Sequence, residues 1–126
     1  MHTLDYKSSA LRASAVLTNS YVAATSTDEI HGLNQIVVLA TFTKGNLTTA
    51  ELKVEFSSDN TNFFQETFQA VAAGTATETL GEHQISATGS YRIAIPVKDR
   101  FVRVSVKGTG DVTNSLMSVS LVIGIV

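Results

Sequence analysis

The chain of 126 residues contains no cysteine. That excludes a disulfide framework, a thiolate metal site and a cysteine nucleophile, and it leaves the redox compartment open. Tryptophan is absent, and Pro96 is the only proline. Charge is scarce: charged residues make up 16% of the chain against 44% apolar, with a formal net charge of -2. A nucleic-acid binder needs a basic face to neutralise phosphates, and here Lys and Arg are scattered without a run. The surface of a free-standing soluble domain is usually about 25–35% charged. So low a charge leads us to expect that part of this surface meets another protein. No stretch approaches the roughly 20 apolar residues of a membrane span. The opening "MHTLDYKSSALRAS" lacks the basic region and apolar run of a signal peptide. A soluble chain, not exported by the usual route and without a membrane or nucleic-acid partner, is the expectation.

What the sequence does contain is a period of two. Leu52, Val54 and Phe56 alternate with Lys53, Glu55 and Ser57. The same pattern returns at Tyr91, Ile93 and Ile95, at Val102, Val104 and Val106, and at Met117, Val119, Leu121, Ile123 and Ile125. Such alternation marks a half-buried strand, because successive side chains of a strand point to opposite faces. Leu11 to Thr18 alternates weakly. Gln35 to Thr43 is apolar on both faces, which fits a central strand or one whose outer face is covered. Phe63 to Phe68 and Glu78 to Ile85 read as further short strands. The Ala-rich stretch Gln69 to Ala76 is broken by Gly74 and β-branched residues and shows no helical stripe. Turn residues punctuate these segments at Lys44-Gly45-Asn46, Ser57 to Asn62, Ala73-Gly74, Thr88-Gly89-Ser90, Lys98-Asp99-Arg100 and Gly108 to Asn114. About eight short strands at this spacing predict an all-β antiparallel sandwich or barrel in one domain over residues 11–126. The polar, unpatterned residues 1–10 read as a flexible N-terminal arm.

Catalytic and metal-binding patterns are missing. His2, His31 and His83 stand in no metal spacing and read as surface or turn residues. There is no nucleophile elbow and no phosphate loop; Gly108-Thr109-Gly110 follows a strand and reads as a turn. Nothing sets two carboxylates at the separation used in glycoside hydrolysis. We therefore expect no enzyme activity, no cofactor and no metal.

Three features bear on binding. The stretch "VEFSSDNTNFF", Val54 to Phe64, offers Asp59, Asn60 and Asn62 as oxygen ligands. A calcium loop needs several carboxylates and a sharp-turn glycine, and this one has a single carboxylate and no glycine. A hairpin corner is the better reading, since Asp and Asn bond their own backbone and tolerate left-handed conformations. Next, Phe63 and Phe64 are neighbours on a strand and face opposite sides. One can enter the core, at about 1.5–3 kcal/mol on full burial, while the other is exposed, covered by a loop or buried in a partner. Last, Val122, Ile123, Ile125 and Val126 put apolar side chains on both faces of a terminal strand. That strand is either a buried central one or a sticky edge that pairs with a neighbouring subunit. Phe63, Phe64, Val122, Ile123, Ile125 and Val126 are thus the interface candidates.

The segment Thr43 to Asp59, "TKGNLTTAELKVEFSSD", resembles small structural proteins of tailed bacteriophages, in which a "TKG…T" turn leads into a strand ending "VEFSxD". Tyr91 to Val97, "YRIAIPV", and Arg100 to Gly110, "RFVRVSVKGTG", are similar to the same group, and the likeness runs from about Tyr21 to the C-terminus. The order "FSSDNTNFF…RFVRVSV" also resembles discoidin-like jelly-roll domains. It departs from them in having Asn60 for their glycine, Phe63 or Phe64 for their tryptophan, and no flanking cysteines.

These resemblances imply a jelly-roll-like β-sandwich and a virion part assembled in the bacterial host cytoplasm. The favoured role is a capsid decoration protein that binds the major capsid protein and itself, as a homo-oligomer with a trimer preferred. A neck or tail component, and a carbohydrate-binding adhesin using Phe63 or Phe64 with Asp59 to Asn62, are the alternatives.

Overall fold

The computed structural model describes residues 5–24, 28–30, 35–72 and 74–125. Among these, all regular structure is β. Twelve strands follow in chain order: β1 (Asp5–Ala15), β2 (Val22–Ala23), β3 (Asp28–Glu29), β4 (Gln35–Thr43), β5 (Leu47–Ser57), β6 (Phe64–Gln65), β7 (Thr67–Ala72), β8 (Thr75–Leu80), β9 (His83–Ile85), β10 (Gly89–Pro96), β11 (Phe101–Gly110) and β12 (Leu116–Ile125). One sheet has the order β1-β12-β4-β10. The other runs β2-β11-β5-β6, with β3 also pairing with β11 and β9 with β5. All pairs are antiparallel. Since β2 and β3 share one flank of β11, and β6 and β9 one flank of β5, ten of the twelve strands fill eight positions in two four-position sheets. The remaining pair, β7 and β8, forms a hairpin sheet of its own. This is the expected all-β sandwich, and its strand order is that of a jelly roll.

The alternation seen in the sequence is what makes the core. Ile36, Val38, Ala40 and Phe42 of β4 and Met117, Val119, Leu121 and Ile123 of β12 point inward from the first sheet. Ala50, Leu52, Val54 and Phe56 of β5 and Val102, Val104 and Val106 of β11 meet them from the second. Each such side chain contributes about 1.5–3 kcal/mol on full burial. Loop residues Leu17 and Ile30 join the same cluster. Leu17 is held there by donating its backbone N–H to Ser115 Oγ at 3.2 Å.

One expectation about the chain ends is corrected, and of the two readings of the terminal strand the central one holds. The N-terminal segment is not an arm from Asp5 onward: Asp5 to Ala10 pair in register with Ile125 to Ser120. Its polar sequence misled because β1 is an edge strand, held by its backbone ladder to β12 and by few apolar side chains. Residues 1–4 lie outside the described residues. Correspondingly, β12 is no free edge. It lies between β1 and β4, and its backbone is bonded on both sides.

Candidate functional site

The outer faces of the two sheets differ in kind. On the second sheet, β5 is buried on both sides, so its outward polar groups need partners. Glu55, in register with Arg103, accepts from Arg103 Nε and Nη2 at 3.2 Å each and from Ser105 Oγ at 3.2 Å. Glu51 accepts from Thr49 Oγ1 at 2.6 Å and Thr109 Oγ1 at 2.9 Å through one oxygen, while its buried Oε2 has no protein partner. Tyr21 lies over this face with Lys53 Nζ 4.5 Å and Lys107 Nζ 4.9 Å from its ring centroid. Its hydroxyl donates to Glu82 at 2.6 Å. Burial, and then that bond to Glu82, push the Tyr21 phenol well above its ordinary value. Phe63 is half-buried at the same face, its ring 4.1 Å beneath the Arg103 guanidinium. The face is thus charged and largely closed by its own contacts.

The outer face of the first sheet carries almost no charge. Register sets its rows across the sheet: Ser8, Val122, Val37 and Ala94; then Ala10, Ser120, Leu39 and Arg92; then Ser118, Thr41 and Ser90. Arg92 is the one charged residue in these rows. Val122 and Val37 stand side by side, as do Leu39 and Arg92, and these four line a cleft of about 400 Å³. Leu39 is 37% exposed and Leu116, further along β12, 41%.

The loop after β5 is the hairpin corner expected of it, with Phe64 of β6 in register with Phe56 of β5. The Asp59 carboxylate accepts the backbone N–H groups of Thr61 and Asn62 at 2.9 and 2.8 Å, Asn62 Nδ2 at 2.9 Å and Ser57 Oγ at 2.9 Å. Asn60 takes the left-handed conformation, φ 59°. These donors, the Asn62 N–H foremost, hold Asp59 well below the usual aspartate range. With both carboxylate oxygens engaged inside the turn, Asp59 is spent on structure. Among the described residues no group of three or more His, Asp and Glu side chains comes together as a metal site.

Neither Phe63 nor Phe64 enters the core, which corrects the expectation that one would. Phe63 goes to the Arg103 guanidinium on the outer face. Phe64 lies on the inner side next to Phe56, but at the sheet edge, where it is 74% exposed. It borders a shallow hollow with Glu66, Lys98 and Asp99. The C-terminal candidates separate too. Val122 is half-buried on the outer face of the first sheet, whereas Ile123 is in the core and is removed from the interface set. Ile125 pairs through its backbone with Asp5; Val126 lies outside the described residues.

Sequence reasoning missed the root of the β7–β8 hairpin. There Glu66 N–H donates to Val54 O at 2.8 Å, Gly81 N–H to Glu66 O at 2.8 Å, and Gln65 Nε2 to Gly81 O at 2.6 Å. His83 Nε2 lies 2.7 Å from Glu66 Oε1. It also missed Leu39 and Arg92, whose importance depends on being neighbours across two strands far apart in the chain. The apolar outer face of Gln35 to Thr43 was the one available sign.

No protein-family model and no curated protein sequence matches the chain. Among solved structures it is similar to the SPBc2 prophage-derived protein YomS, at 14% identity and a TM-score of 0.49, over 99% of this chain and 97% of that one.

Proposed function

We propose that the chain is a non-enzymatic structural protein of a tailed-phage virion, and that it acts as a capsid decoration protein which binds and stabilises the head as a homo-oligomer, three-fold by preference. The observation that carries this reading is the contrast between the two outer faces. One is charged and occupied by its own ion pairs and aromatic contacts. The other is a β surface whose described rows hold Val, Leu, Ala, Ser and Thr with Arg92 as their one charge, suited to burial against protein. The resemblance to phage structural proteins supports it, since the matching segments are the β4–β5 turn, β5, β10 and β11, elements of both sheets. A glycan-binding role is less well supported, because the carboxylate it would use is consumed within its own turn.

The test is co-sedimentation of the purified protein with undecorated heads of the phage that encodes it, followed by thermal melting of those heads. Saturable binding and a raised melting temperature are expected. A monodisperse monomer that does not bind heads overturns the reading. Binding to tails instead would move the protein to the neck or tail, and a specific glycan-array hit would favour the adhesin.

A further inference from the structure

We propose that Phe64 of one copy seats in the Val37–Leu39–Arg92–Val122 cleft of a second copy, in a head-to-tail contact. This deepens the oligomer part of the reading above and rests on it, but does not depend on capsid binding. Phe64 is the most exposed large apolar side chain among the described residues, at 74%. Alone in water such a ring is unfavourable, and aromatic side chains of this kind are common interface anchors. The cleft is its counterpart: about 400 Å³, walled by two valines and a leucine and rimmed by one guanidinium. That volume is at the low end of what small-ligand sites offer, about 300–1,000 Å³, and has room for an aromatic ring.

Carboxylates flank the Phe64 ring, from Asp99 beside Lys98 and from Glu66, which His83 Nε2 engages at 2.7 Å, while Arg92 is the one charge among the described residues lining the cleft. The chain already makes this type of contact internally, with the Arg103 guanidinium 4.1 Å from the Phe63 ring centroid. Phe64 sits on the rim of the second sheet and the cleft on the outer face of the first, so knob and hole are different surfaces. Contacts of this kind propagate from copy to copy and close into a ring when the rotation allows.

The experiment is mass photometry and sedimentation of wild type, Phe64→Ser, Leu39→Lys and a 1:1 mixture of the two variants, with circular dichroism to verify folding of each. Both positions are exposed, so both variants should keep the wild-type melting temperature to within a few degrees. Each alone should weaken self-association by about thirtyfold or more, as loss of an interface anchor does. The mixture should recover a two-copy species, because the variant lacking the cleft still has its Phe64 and the variant lacking Phe64 still has its cleft. Undiminished oligomers in both folded variants, or no recovery in the mixture, overturns the contact and leaves the oligomer reading standing. A wild-type protein that stays monomeric at high concentration overturns both. Arg92→Glu provides a further arm: if the guanidinium faces the Phe64 ring and its acidic neighbours, reversing its charge should abolish association in a folded protein.

Discussion

At Asp59, four donors from three residues converge on one carboxylate, and the consequence is an acid-sensitive turn. Its folded-state value lies below the ordinary 3.8, so the stabilisation is complete above that pH and is lost as pH falls through the range below it. Asp111 adds to the same dependence, lowered by the Thr113 hydroxyl and then the Thr113 N–H. Asp59→Ala should melt lower than wild type at neutral pH, with the gap narrowing from about pH 4 to about pH 2. A gap that stays constant in thermal melts across that range would show that the carboxylate's charge is irrelevant to the turn. Glu55 is a different case, being buried and in register with Arg103. Arg103→Met should cost about 1–3 kcal/mol, toward the lower end because solvent reaches the guanidinium. In denaturant titrations, the Glu55→Met/Arg103→Met double variant should lose less than the two single losses combined. Full additivity would mean that the pair is not coupled.

Among the elements, the long strands other than β1 were legible in the sequence and the two-residue ones were not. β5, β10, β11 and β12 each carry enough alternating residues for the period to stand out. β2, β3 and β6 are two residues long and have no period to read. Alternation also gives the face of a side chain but not what stands opposite, which is why Phe64 could lie on the inner face and still be exposed. The Glu55–Arg103 pair and the cleft residues depend on register between distant strands, which no single segment encodes. The β7–β8 hairpin forms a separate sheet, rooted at Gln65, Glu66, Gly81 and His83. Replacing residues 68–79 by a two-residue Asn-Gly turn should therefore leave the sandwich folded, with near-wild-type circular dichroism and melting temperature. Cooperative loss of the whole fold would show that the hairpin supports the core.

For the whole molecule, the sandwich presents one face that is closed and one that is open. The second sheet engages most of its outward polar groups internally through Tyr21, Phe63 and the Glu55–Arg103 pair, so that the first sheet's outer rows are the surface on which the proposed association rests. Because that surface is set by register across β1, β12, β4 and β10, it exists only once all four strands have assembled.

The pairing of β1 with β12 carries this further, into time. Asp5 meets Ile125, so the two strands that define one side of the first sheet come from opposite ends of the sequence. A ribosome must release nearly all of the chain before that ladder can form, and until then the apolar residues of β1 and β4 lack the strand that separates them. Loop closure over such a span is slow, so refolding from denaturant should take milliseconds to seconds, as for other all-β domains of high contact order, and microsecond refolding by stopped-flow or temperature-jump fluorescence would contradict this topology. The outer face of the first sheet, on which the proposed association depends, is therefore among the last features to form.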